Sequence, residues 1–149
     1  MAGSSYLRAY KKNGLDTDLS VADGHRVIQL LYQGLIETIV RAKASIERND
    51  IEAKATQINK ALNIVAGLSS AVQYDPNDPL QTRIAKNFKD LYAIYNDRLM
   101  QASFELKTEP LDEILVYARD IKQAWDNIPL AQRNEGFRLQ AERDAGKSS

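Results

Sequence analysis

The chain has 149 residues, 44% of them hydrophobic and 27% charged, and its 20 basic and 20 acidic side chains cancel. That length and composition predict one globular domain able to bury a core without covalent staples, and the charge balance speaks against nucleic acid, because phosphate neutralisation supplies most non-specific affinity. Cysteine is absent, which excludes disulfides, thiolate catalysis and cysteine metal sites and fits a reducing compartment.

Residues 1–22 are polar, carry Gly3, Gly14 and several Asp, and set Tyr6 and Tyr10 among them. They read as a loosely ordered, mobile arm. Positive charge without a following apolar run is not a signal peptide, and Met1-Ala2-Gly3 is not a myristoylation start. No apolar run approaches a membrane span. The expected protein is soluble and cytoplasmic, with no membrane insertion.

Asp23 predicts the cap of a first helix. Val27, Ile28, Leu31, Tyr32, Leu35, Ile39, Ala42 and Ile46 follow three or four apart, to an end near Asn49. Asp50 is the next expected cap, before Ile51, Ala55, Ile58, Leu62, Val65 and Val72, with a break at Ser69. Tyr74-Asp75-Pro76-Asn77-Asp78-Pro79 is the strongest breaker. Asp78 can cap a third helix with Pro79 at its first position, where the missing N–H costs nothing. Ile84, Phe88, Leu91, Tyr95, Leu99, Ala102 and Leu106 carry that helix. Thr108 or Glu109 caps a fourth, built on Leu111, Ile114, Leu115, Ala118, Ile121 and Trp125 and stopping near Pro129. The fold class is all-α: an antiparallel up-and-down four-helix bundle over 23–128, between an arm (1–22) and a polar C-terminal tail (129–149) in which Arg138 to Arg143 can form a short helix.

Catalytic equipment is sparse. The single histidine, His25, reads as a surface or capping-region side chain at the start of the first helix. One histidine cannot supply the paired Glu-x-x-His motifs of a di-metal bundle, and neither a phosphate-binding loop nor a dinucleotide fingerprint is present. The expectation is no enzyme activity, no metal and no cofactor.

Surface is then the best lead. The core stripe of the third helix uses Phe88, Leu91, Tyr92, Tyr95 and Leu99 and leaves Ile94 on one side, with Met100 and Phe104 on the other. Ile64 falls at the edge of the second helix's stripe. Such a surplus predicts a groove that receives an amphipathic or extended partner segment. Tyr32, Tyr92 and Tyr95 read as core-edge rings whose hydroxyls reach water or a polar partner.

The order of short motifs adds a resemblance. Tyr6-Leu7-Arg8-Ala9-Tyr10, Val21-Ala22-Asp23-Gly24-His25, Leu31-Tyr32-Gln33-Gly34 and Lys60-Ala61-Leu62-Asn63-Ile64-Val65 come first. Asn87-Phe88-Lys89-Asp90-Leu91-Tyr92, Arg98-Leu99-Met100-Gln101-Ala102, Leu111-Asp112-Glu113-Ile114 and Ala124-Trp125 follow. This set, over about residues 6–128, resembles the flagellin-specific export chaperones of the FliS family. Gly24 stands where the family often has Pro, and Gln33 replaces a common Asp.

The resemblance implies a cytoplasmic chaperone without ATPase activity. It would bind the C-terminal region of flagellin, prevent premature polymerisation and keep it competent for type III export. Further implied partners are the flagellar export apparatus and an anti-sigma factor, with the chaperone a monomer or weak homodimer. The expected flagellin groove comprises Ile58, Leu62, Ile64, Val65, Tyr92, Ile94 and Tyr95. Ile64, Ile94 and the edge of Tyr92 would be exposed, Ile58, Leu62 and Val65 would support them, and Tyr6 and Tyr10 would gate the groove. Two alternatives stay open on sequence: a regulatory adaptor that sequesters a flagellar transcriptional regulator such as an anti-sigma factor, and a structural bundle whose surplus apolars dimerise.

Overall fold

A computed structural model describes residues 24–128. Tyr6, Tyr10, the expected cap Asp23 and the tail from residue 129 lie outside the described residues. Four helices follow one another: α1 (Gly24–Glu47), α2 (Ile51–Ser70), α3 (Pro79–Glu105) and α4 (Glu109–Asp126). Each packs against its neighbours in sequence, and α4 closes back on α1, so the cyclic order is α1-α2-α3-α4.

Local chemistry sets the corners. α1 ends in a Schellman turn: Asn49 adopts φ 57, Asp50 N–H donates to Ser45 O at 2.9 Å and Asn49 N–H to Ile46 O at 3.1 Å. Asp50 then caps α2 by accepting from Ala53 N–H at 3.0 Å. Asp78 caps α3 by accepting from Leu80 and Gln81 N–H at 3.0 and 3.2 Å, with Pro79 in the first turn. Asp75 shapes the approach, accepting from Asn77 N–H through its carboxylate and from Asp78 N–H through its carbonyl. Thr108 is the cap position of α4 but makes no side-chain capping bond.

Contacts between helix ends fix the antiparallel sense. Lys54, in the first turn of α2, donates from Nζ to Ser103 O and Oγ near the end of α3 at 3.1 and 3.2 Å. Lys43, late in α1, pairs with Asp112, early in α4, at 2.9 Å. At the opposite end His25 and Trp125 stack, ring centroids 4.9 Å apart.

The core holds Leu31, Tyr32, Leu35, Ile39, Ala42 and Ile46 of α1 and Ile58, Ala61, Ile64, Val65 and Leu68 of α2. α3 adds Tyr92, Tyr95, Leu99 and Ala102, and α4 adds Leu111, Ile114, Leu115 and Ala118. Several expectations need correction. Ile51 and Ala55 are exposed, because the inward position of the first turn of α2 belongs to the buried stem of Lys54. Ile64 is 2% exposed, not a surface residue. Buried Gly67 on α2 and buried Thr38 and Ser45 on α1 widen the buried arc of both helices. Ile84 and Leu106 are exposed, near the start of α3 and at its left-handed C-cap. Val72 lies beyond the end of α2, packed partly against the core.

Candidate functional site

The seven residues expected to form a groove divide by depth. Ile58, Ile64, Val65, Tyr92 and Tyr95 are buried, Leu62 is half-buried, and Ile94 is 48% exposed. Tyr92 is 4% exposed, not the open edge expected: its ring packs between Phe88 and Tyr95 and its hydroxyl accepts from Tyr32 Oη at 3.3 Å. Among these seven, Leu62 of α2 and Ile94 of α3 keep the most exposed surface.

Bonds define the flanks of α3. Arg98 Nε donates to Glu113 Oε2 at 2.6 Å and marks the α3 flank that faces α4. At about 100° per residue, Leu80, Ile84, Leu91 and Ile94 lie on that flank with Arg98. Met100 and Phe104 lie on the other flank, toward α2, with Phe104 at 91% exposure. Val116 and Tyr117 of α4 are also exposed. The expectation that Ile94, Met100 and Phe104 stand outside the core matches the structure, and Leu80 and Ile84 extend the Ile94 side.

A cleft of ≈ 250 Å³ opens at the end of the bundle where α1 and α3 start and α2 and α4 finish. Ile28, Val72, Ile84, Phe88, Ile121 and Trp125 give it apolar walls, with Tyr32 and Tyr92 also lining it. Sequence reading missed this cleft because its lining comes from four helix ends and the 71–78 connection. The one usable signal was Tyr74, an aromatic placed inside a breaker, whose ring lies 5.8 Å from Lys89 Nζ.

Three tyrosines cluster below the cleft. Tyr32 donates to Tyr92, while Tyr95 Oη finds no hydrogen-bond partner among the described residues. Burial raises all three phenols, pushing Tyr95 up to about 12. They are neutral donors across the ordinary pH range.

His25 corrects another expectation. It is 2% exposed, and its Nε2 hydrogen-bonds Trp125 O at 2.9 Å. The indole Nε1–H returns a bond to His25 O at 2.8 Å. The carbonyl can only accept, so Nε2 carries a proton. Gln29 and Lys122 both donate to the Asp126 carboxylate beside this clasp. The Lys122 bond, helped by Gln29, holds Asp126 below the usual carboxylate range. Among the described residues no group of His, Asp and Glu could hold a metal ion, and no helix is long and apolar enough to cross a membrane.

The family model described as Flagellar protein FliS matches residues 6–132. The chain is 35% identical over 134 residues to the flagellar secretion chaperone FliS of Vibrio cholerae, covering 90% of this chain and 94% of that protein. It is 33% identical over 122 residues to the flagellar secretion chaperone FliSB of Pseudomonas aeruginosa, covering 82% and 94%. Against the FliS of Salmonella typhimurium identity is 28% over 129 residues, covering 86% and 93%.

Proposed function

Since the chain belongs to the FliS family of flagellar proteins, we propose that it is a cytoplasmic flagellar secretion chaperone whose client is the C-terminal region of flagellin. The observation that carries this reading is the apolar surface left on α3 after the core is filled: Ile94, Met100 and Phe104 are 48%, 57% and 91% exposed. Isolated exposed apolars are ordinary. Two flanks of one helix furnished this way, on a protein whose relatives are named as secretion chaperones, suit a segment that wraps the bundle.

A segment disordered when free loses ordering entropy on binding, so it can cover a large surface and still be released for export. Its polymerising apolar faces are masked while they occupy the chaperone. Leu62, Ile94, Met100 and Phe104 supply contact surface. Ile58, Ile64, Val65, Tyr92 and Tyr95 hold that surface in place from beneath, and Tyr6 and Tyr10 gate it. The bundle itself needs no catalysis for this work.

The test is a titration with the C-terminal peptide of the cell's flagellin, using the full chain and Ile94→Asp. A buried apolar contact replaced by a carboxylate costs about 2–3 kcal/mol, roughly a 30–150-fold loss of affinity. Helicity and melting should not change, because Ile94 is exposed. Equal affinity of the two proteins removes Ile94 from the site, and no binding by either removes the client.

A further inference from the structure

The terminal cleft has a chemistry of its own. Ile28 of α1, Leu68 of α2, Phe88 of α3 and Ile121 and Trp125 of α4 give it apolar and aromatic walls. None of its lining residues is charged. At ≈ 250 Å³ it exceeds the roughly 150 Å³ of an apolar cavity that takes one benzene ring. A charged molecule entering here loses hydration and meets no counter-charge in the wall, whereas an uncharged aromatic ring gains apolar and ring–ring contact. Leu62, Ile94, Met100 and Phe104 are not among the lining residues, so the cleft is separate from the surface assigned to the client.

Polar groups sit at its depth. Tyr32 and Tyr92 both line the cleft and are 1% and 4% exposed. Their hydroxyls share one hydrogen bond, from Tyr32 to Tyr92 at 3.3 Å, which uses one of the two hydroxyl hydrogens. The Tyr92 hydrogen has no acceptor among the described residues. Leaving a buried donor unmet is costly. Burial raises both phenols, so they stay protonated and able to donate. Gln81, which also lines the cleft, is already committed: its amide accepts from Asp75 N–H and donates to the Asp78 carboxylate.

We propose that the cleft is a small-molecule site whose ligand is an uncharged aromatic compound of one or two rings with one hydrogen-bond acceptor, such as an aryl ketone. The ring packs among Phe88, Ile121 and Trp125, and its acceptor takes the Tyr92 hydroxyl hydrogen. Binding ties together the ends of all four helices and so raises the melting temperature. The site involves no client and stands or falls apart from the chaperone reading.

Trp125 is the chain's single tryptophan and lines the cleft, so its indole N–H gives one NMR signal that reports on the site. The full chain is titrated with acetophenone and with ethylbenzene, which has a methylene where the ketone has its carbonyl. Both should shift the Trp125 signal saturably. Tyr92→Phe should weaken acetophenone about fivefold, the worth of one hydrogen bond, and leave ethylbenzene unchanged. Ala71→Phe, at an exposed lining position, should abolish both shifts without lowering the melting temperature. No saturable shift in the wild type overturns the proposal, as does binding that survives Ala71→Phe. A Tyr92→Phe effect equal for the two probes marks lost packing and overturns it as well. The ratio of the two affinities is read within each protein, so a Tyr92→Phe variant of lower stability still decides the question.

Discussion

Tyr32, Tyr92 and Tyr95 put three hydroxyls inside an otherwise apolar bundle, and their arrangement separates two substitutions that look alike. Tyr95→Phe removes an oxygen that no described group bonds, so urea denaturation should show stability unchanged or raised by about 1 kcal/mol. Tyr32→Phe removes the donor to Tyr92 and should lower stability by about 1 kcal/mol. Burial raises all three phenols. Their contribution is therefore fully present below the ordinary value of 10 and is lost as pH rises through about 12 for Tyr95. Asp126 has the opposite sign. Its folded value is lowered by the Lys122 bond, so its contribution is present above the ordinary 3.8 and disappears as pH falls through the folded value. Melting temperatures of wild type and Asp126→Asn should differ at neutral pH and converge on acidification. A constant gap would mean that Asp126 acts through packing and not charge. None of these pairings was visible in sequence, where His25 stood alone and Trp125 lay 100 positions away.

At the scale of elements, the sequence carried most of the information. Steps of three and four between apolar residues marked all four helices, and Asp50 and Asp78 marked two caps by the chemistry that the structure shows. Facing was less legible. Ile64 and one edge of Tyr92 looked peripheral on a helical wheel drawn for one stripe, yet each residue is buried because a helix in this ring has two neighbours. Lys54 went unremarked in the spacing: its stem lies inside while its ammonium reaches Ser103. Ile64→Asp should therefore unfold the bundle, in contrast to Ile94→Asp. The end of α3 offers a gain. Leu106 holds φ 55, a left-handed conformation that costs a non-glycine residue roughly 1–2 kcal/mol. Leu106→Gly should recover about 1 kcal/mol in urea denaturation, since the side chain is 45% exposed and gives up little packing. A loss of stability would show that Leu106 packs more tightly than its exposure indicates.

The described residues form a ring of four helices with apolar flanks, and the candidate site was only half readable. The surplus on α3 was countable from spacing, whereas the terminal cleft is assembled from residues as far apart as Ile28 and Trp125. If the arm with Tyr6 and Tyr10 competes for client surface, deleting residues 1–12 should tighten binding of the flagellin peptide several-fold, by removing the fraction of closed molecules. Identical titration curves would show that the arm does not compete.

The His25–Trp125 clasp brings the first turn of α1 onto the last turn of α4. Since α4 packs on α1 as well as on α3, the ring has no privileged beginning. A circular permutant that joins Asp126 to Gly24 through a short linker and opens the chain between Ala71 and Asp78 should keep every helix pair, and the clasp would become an ordinary corner.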